Sequence, residues 1–221
     1  MFVKICGITD VDDALLAVAL GADALGFVFA PSTRQIAAQR ARDIATRVPA
    51  ETLTVGVFRD EAKERVVDIA HTANLRAVQL HGRESPDDVQ WVAQRIPVVI
   101  KAVAAGTEHA RNADRFGLST ILVDNPRPGS GELFDWSLVE AMPIGMRIIL
   151  AGGLDPDNVA DAIAKVKPWG VDVSSGVERE AGRKDPTALR LFIQNAKAAG
   201  AALAAAEPER GEDAMYNWEV E

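Results

Sequence analysis

The sequence predicts a single α/β domain, a closed (β/α)8 barrel, on three observations. Eight short apolar runs recur along the chain, each followed by a polar or glycine-containing turn. Amphipathic helical stretches separate them, and strict strand-then-helix repetition builds a parallel sheet with right-handed crossovers. Polar side chains collect at the C-terminal ends of the runs on one face only, whereas strands of a doubly wound sheet are apolar on both faces.

The first run, 2–6, sets Val3 and Ile5 on one face and Lys4 and Cys6 on the other. Asp10 opens a helix over 12–20, where Ala14, Leu15, Val18 and Ala19 share a side. The second and third runs are 24–29 and 53–58. The fourth, 77–81, opposes Val78 and Leu80 to Gln79 and His81. Ser85-Pro86 starts the helix behind it, with proline in the first turn where its missing N–H costs least. The fifth, 98–103, brings Lys101 to the polar end. The sixth, 120–124, opposes Ile121 and Val123 to Leu122 and Asp124, and Asp135 marks the next helix start. The seventh, 147–151, precedes Asp155-Pro156 and a helix over 157–166 whose Val159, Ala162, Ile163 and Val166 lie on one face. The eighth, 170–174, opposes Val171 and Val173 to Asp172 and Ser174, before a helix opened by Asp185-Pro186. The apolar members meet the helices. The polar members face the interior at the mouth, the end where TIM barrels carry their active sites.

The barrel is expected over 1–200 and an acidic, flexible tail over 201–221, in which six acids stand against one arginine. The chain is 48% hydrophobic and 25% charged, as ordinary globular domains are. Its net charge of −8 argues against a nucleic-acid backbone or an anionic membrane as partner, so an anionic substrate needs a local basic site. No apolar stretch reaches the ~18 residues of a membrane span. The lone Cys6 suits a reducing compartment, and the chain enters a strand-like run without an apolar leader, so the expected location is the cytoplasm.

Barrels commonly hold phosphate in the loops after strands 7 and 8. Gly152 and Gly153 occupy the first loop, and Ser174, Ser175 and Gly176 the second. Glycines let backbone approach an anion closely, and serine hydroxyls add donors. Cys6 and Asp124 point inward at the mouth, where a lone cysteine can also be a small buried hydrophobe and a strand-end aspartate a helix or turn cap. Arg34, from the loop after strand 2, suits a carboxylate, and His81 and Asp172 face the same space. His71, His81 and His109 are scattered without HxH or HExxH spacing, and neither a Walker A nor a GxGxxG sequence occurs, so no metal and no organic cofactor is expected.

Six segments carry a resemblance: Lys4-Ile5-Cys6-Gly7-Ile8-Thr9, Ala24-Leu25-Gly26-Phe27-Val28-Phe29, Gln79-Leu80-His81-Gly82, Phe134-Asp135-Trp136, Leu150-Ala151-Gly152-Gly153-Leu154 and 170–178. In this order, over roughly 2–197, the chain resembles the N-(5'-phosphoribosyl)anthranilate isomerases of tryptophan biosynthesis. Family members often have a longer insert after strand 6 than the 125–131 segment here, and often Pro-Arg-Tyr where this chain has Thr33-Arg34-Gln35. The acidic tail has no counterpart in the family.

The resemblance implies a cofactor-independent Amadori rearrangement, with Cys6 as general base, Asp124 as general acid, Arg34 on the anthranilate carboxylate and the strand 7 and 8 loops on the phosphate. The expected partner is a phosphorylated small molecule, and the expected state a monomer or weak homodimer. Base and acid must reach the sugar from different sides, which strands 1 and 6 allow. A thiolate with a protonated carboxyl reverses their protonation in solution, so Lys4 or Lys101 is expected to favour the thiolate and desolvation to raise the acid. Two alternatives remain: a sugar-phosphate barrel of another reaction, such as the related aminoaldose isomerase of histidine biosynthesis, and a noncatalytic phosphate-binding barrel. The first resembles this chain less, because that relative uses aspartate where Cys6 stands. The second sits poorly with the presence of both Cys6 and Asp124.

Overall fold

The structure, a computed structural model, describes residues 1–125 and 135–206. Eight parallel strands, β1 (Phe2–Cys6), β2 (Ala24–Val28), β3 (Leu53–Phe58), β4 (Ala77–Leu80), β5 (Val98–Ala104), β6 (Thr120–Asp124), β7 (Arg147–Leu150) and β8 (Gly170–Val173), close into a barrel in chain order. Closure is made by β1 against β8, with Lys4 beside Asp172, so residues from the two ends of the chain meet at the mouth.

The helices are α1 (Val11–Ala19), α2 (Ala38–Ala45), α3 (Lys63–Thr72), α4 (Pro86–Ala93), α5 (Glu108–Arg111), α6 (Val159–Val166) and α7 (Pro186–Ala206). Their starts follow side-chain chemistry. The Asp10 carboxylate accepts from the Asp12 N–H at 2.9 Å, and Ser85 Oγ accepts from the Asp88 N–H at 3.2 Å with Pro86 in the first turn. Asp185 Oδ1 accepts from the Thr187 and Ala188 N–H groups, each at 2.8 Å. Two expected starts differ. Asp135 caps a 3-10 helix, Trp136–Ala141, in place of an α-helix. Asp155 caps only a turn, accepting from Asp157 and Asn158, and α6 begins at Val159.

Strand alternation sorts the core into two layers. Val3, Ile5, Phe27, Leu80, Val123 and Val171 pack outward against the helices. A small inner cluster, with Ala24, Val55, Ala77, Ile100, Leu122 and Ile149 among its members, fills the barrel floor and leaves the mouth to polar side chains. Lys101 departs from expectation. It pairs in register with outward Leu80, alternates with inward Ile100 and Ala102, and its ammonium donates to the carbonyls of Leu80 (3.2 Å), Gly82 (2.8 Å) and Ala102 (2.7 Å). With Glu84 at 3.1 Å as counter-ion, it serves the outer layer and not the interior.

Two further differences follow the eighth strand. A 3-10 turn, Ser175–Val177, leads into an antiparallel pair, β9 (Glu178–Glu180) and β10 (Arg183–Lys184). This hairpin has no apolar alternation to announce it. The last helix, α7, then crosses the expected boundary at 200 and runs to Ala206, the last described residue, with Leu203 packed on the core. Most of the expected tail, including Tyr216 and Trp218, lies outside the described residues, as do 126–134, which hold Phe134 and most of the short loop after β6. Among the described residues no helix is long and apolar enough to cross a membrane.

Candidate active site

At the C-terminal mouth lies a cleft of about 250 Å³. Cys6, Arg34, His81, Asp124, Gly152, Gly153, Asp172, Ser174 and Ser175 all line it, so nine of the ten expected site residues come together from six loops and strand ends. Gly176 stands behind it, its Cα against the backbone of Leu154, where any side chain would collide with that carbonyl.

Cys6 ends β1 and is 8% exposed. Burial pushes its thiol above the ordinary cysteine value; Lys4 and Lys184 oppose that rise, while Asp172 adds to it. Of the two lysines expected to act on the thiol, Lys4 is the one in place. Its ammonium, fully buried, donates to Asp172 Oδ1 at 2.9 Å, and although burial alone would lower its pKa, Asp172 and Cys6 raise it overall. Lys101 has no part in this, for the reason given above.

Lys184 was not expected. It ends β10, is 1% exposed, and donates to the Cys6 carbonyl at 2.6 Å, the Ser174 carbonyl at 3.1 Å and Glu178 Oε1 at 2.9 Å. Burial lowers its pKa more than Glu178 restores it. Glu178 in turn takes Arg34 in a fork: Nε reaches Oε1 at 2.9 Å and Oε2 at 3.0 Å, and Nη2 reaches Oε2 at 2.6 Å. Burial would raise the Glu178 carboxyl, but Arg34 and Lys184 hold it below the ordinary glutamate value. Arg34 therefore enters the cleft already oriented by an anion. The only sequence signal for this network was the glutamate closing the 170–178 segment.

Across the mouth, β6 presents Asp124, 9% exposed. Asp124 Oδ1 accepts from the Asn125 N–H at 2.7 Å, and Oδ2 lies 3.1 Å from His81 Nε2. His81 Nδ1 stands 2.8 Å from the Gln79 amide nitrogen, and Gln79 Oε1 is buried without a hydrogen-bond partner among the described residues. With the Gln79 amide donating, the imidazole carries its hydrogen on Nε2 and gives it to Asp124; turning the amide over reverses the ring tautomer and lets a protonated Asp124 donate to Nε2. Gln79 is a second residue that the sequence pattern left unassigned.

Between Asp124 and the loop after β7 the packing is tight. Gly152 has φ +87°, and a Cβ there would stand 2.6 Å from the Asn125 nitrogen and 2.8 Å from Asp124 Oδ1. A side chain at this position would displace the Asp124 carboxyl, so backbone alone crosses there. Gly153, Ser174 and Ser175 continue the same wall from β7 to β8. Among the described residues no group of three or more His, Cys, Asp or Glu side chains is placed to hold a metal.

The chain matches the family described as N-(5'phosphoribosyl)anthranilate (PRA) isomerase over residues 3–195. It is 50% identical over 204 residues to the N-(5'-phosphoribosyl)anthranilate isomerase of Desulforudis audaxviator, covering 89% of this chain and 98% of that one. Among solved structures, the phosphoribosyl anthranilate isomerase of Thermus thermophilus superposes with a TM-score of 0.84 at 40% identity, covering 90% of this chain and 99% of the other. A phosphoribosyl anthranilate isomerase solved with reduced 1-(o-carboxyphenylamino)-1-deoxyribulose 5-phosphate superposes with a TM-score of 0.79 at 43% identity, over 90% and 99% of the two chains. With the barrel, the mouth residues and these likenesses in agreement, the chain belongs to the N-(5'-phosphoribosyl)anthranilate isomerase family.

Proposed function

We infer that the chain catalyses the Amadori rearrangement of N-(5'-phosphoribosyl)anthranilate to 1-(2-carboxyphenylamino)-1-deoxyribulose 5-phosphate, the isomerase step of tryptophan biosynthesis. The observation that carries this reading is the pairing of a thiol on β1 with a carboxyl on β6 across one cleft, with β7 and β8 between them around the barrel. The reaction needs two proton transfers and no net change in composition. A proton delivered to the furanose oxygen lets the bond from C1' to that oxygen break, leaving a protonated Schiff base. Removal of the C2' proton then moves that electron pair into an enolamine, which tautomerises to the aminoketose.

Asp124 is the donor to the ring oxygen in this reading. His81 Nε2, 3.1 Å from Asp124 Oδ2, can donate to the carboxylate or accept from the carboxyl according to its tautomer, so it can partner Asp124 before and after the proton is delivered. Cys6 is the base at C2'. Burial holds its thiol above the ordinary cysteine value, and Lys4 and Lys184 are the cations that oppose that rise and favour the thiolate. Arg34, forked on Glu178, faces the anthranilate carboxylate, with His81 and Asp172 as further substrate contacts. Gly152, Gly153, Ser174, Ser175 and Gly176 form the phosphate end. No step draws on a metal or an organic cofactor, so exhaustive chelation is expected to leave the rate unchanged.

The protein acts in the cytoplasm as a monomer or weak homodimer in this reading, on a small phosphorylated substrate and with neither nucleic acid nor membrane as partner. The test is direct. Phosphoribosylanthranilate generated in place and mixed with the purified chain should lose its anthranilate-type fluorescence at a rate proportional to protein. Persistent fluorescence at high protein concentration would overturn the assignment.

A further inference from the structure

The hairpin after β8 is not needed to close the barrel, yet it returns two charged side chains to the interior. Lys184 is 1% exposed and the Glu178 side chain 4% exposed. Burying an ammonium and a carboxylate is costly unless both are paired and hydrogen-bonded, and here both are. Each partner of Lys184 belongs to a different part of the site. The carbonyl of Cys6 ends β1, the carbonyl of Ser174 ends β8, and Glu178 holds Arg34 from the loop after β2. The Lys184 backbone N–H adds a 3.0 Å bond to Asp13 in α1, which fixes the hairpin from outside.

We propose that Lys184 and Glu178 are positioning residues of the isomerisation: one buried ammonium and its carboxylate lock the base, the phosphate loop and the carboxylate-binding arginine into a single geometry. This rests on the isomerase reading. Neither residue touches the reacting atoms. Lys184 sets the strand end that carries Cys6 and places a positive charge behind the thiol, and Glu178 balances that charge while aiming Arg34 into the cleft. The groups facing Cys6 are then Lys4 from β1, Asp172 from β8, Lys184 and Glu178 from the hairpin, and Arg34 from the loop after β2, with Asp124 and His81 across the mouth.

Because the two residues carry opposite charges, their removal has opposite consequences for the thiol, which a merely structural role would not produce. Cys6 is the chain's one cysteine, so ultraviolet absorbance of the thiolate titrates it without substrate and without turnover. In Lys184→Met the midpoint should move to higher pH, because a cation behind the thiolate is gone. In Glu178→Gln it should move to lower pH, because Lys184 and Arg34 lose their counter-charge. Glu178→Gln should also raise KM for phosphoribosylanthranilate about tenfold, with kcat falling less, as Arg34 loses its fork. Opposite displacements support the proposal, and displacements in the same direction, or none, overturn it. If Lys184→Met yields no folded protein, the Glu178→Gln titration decides alone: a lower midpoint supports the proposal and any other result overturns it. Failure of the isomerase reading would appear elsewhere, as absence of turnover in the unaltered chain.

Discussion

Replacing Gly26 with alanine tests how little room surrounds Cys6, the proposed base. Gly26 pairs with Cys6 in the β1–β2 ladder, and a Cβ there would stand 2.8 Å from Cys6 Sγ, 3.1 Å from Cys6 Cα and 3.1 Å from Lys4 Nζ. Ordinary contacts between such atoms are about 3.5–4.0 Å. The backbone Cα gives least, so the sulfur and the ammonium must each move by several tenths of an ångström to about 1 Å. Two energies then compete. Overpacking of this kind costs about 1–3 kcal/mol, while alanine in place of glycine regains about 0.4–1 kcal/mol by restricting the unfolded chain. The net destabilisation is about 0–2.6 kcal/mol, which at about 2–4 °C per kcal/mol lowers Tm by no more than about 10 °C. Catalysis has no such offset, since about 1 Å of misplacement at a reacting group costs about 10²-fold. The expected outcome for Gly26→Ala is a folded protein with a modestly lowered Tm, nearly unchanged affinity for a product analogue, and kcat down about 100-fold. Scanning calorimetry and steady-state fluorescence kinetics measure the two quantities. Wild-type kcat in Gly26→Ala would refute the placement of Cys6 Sγ and Lys4 Nζ against β2.

Cys6→Ala and Asp124→Asn are each expected to cut kcat by about 10²–10⁴-fold or more while a product analogue still binds, read by isothermal titration beside turnover. With the Cys6 thiolate as the proposed base and burial holding its thiol above the ordinary cysteine value, kcat/KM should climb as pH rises beyond neutrality. That dependence should vanish in Cys6→Ser, as a pH–rate profile would record. Truncation after Ala206 should leave both turnover and Tm unchanged. Truncation after Gly200 removes the last turns of α7 and the packed Leu203, and is expected to lower Tm by several degrees at about 1–2 kcal/mol without altering kcat.

The barrel was legible because each strand writes its two environments as alternate residues. Val171 and Val173 belong to the outer layer and Asp172 to the mouth, as the phase of the eighth run requires. Cys6, Asp124, His81 and Asp172 followed from the same phase. Lys101 was misplaced because the phase fails where a strand is apolar on both sides: Val98-Val99-Ile100-Lys101-Ala102-Val103 reads equally well either way. The pairing of Lys101 with Leu80 decides it, and that pairing is a property of the neighbouring strand. The start at Asp135 failed for another reason. A capping aspartate fixes where a turn begins, since its carboxylate accepts from the Ser137 N–H at 3.0 Å, but it does not decide whether the next turn is 3-10 or α.

The electrostatics of the thiol were the least legible part, and the cause is chain distance. Lys184 lies 178 residues from the carbonyl it holds. Its own segment, 178–184, sets five charged residues around Ala181 and Gly182, so neither period 2 nor period 3.6 marks it as ordered. What orders it is the site: an ammonium that finds two strand-end carbonyls and a carboxylate can leave water, and the hairpin forms around that exchange. The sequence contains the partners but no local pattern that joins them. Lys4 escapes this limit because it sits two residues before Cys6 on one strand, where alternation alone puts both on the same face. For a buried charge, then, legibility depends on whether the partner shares its element. Of the two buried lysines that act on this thiol among the described residues only one did, and the other became visible when the barrel closed β8 onto β1 and carried the hairpin with it.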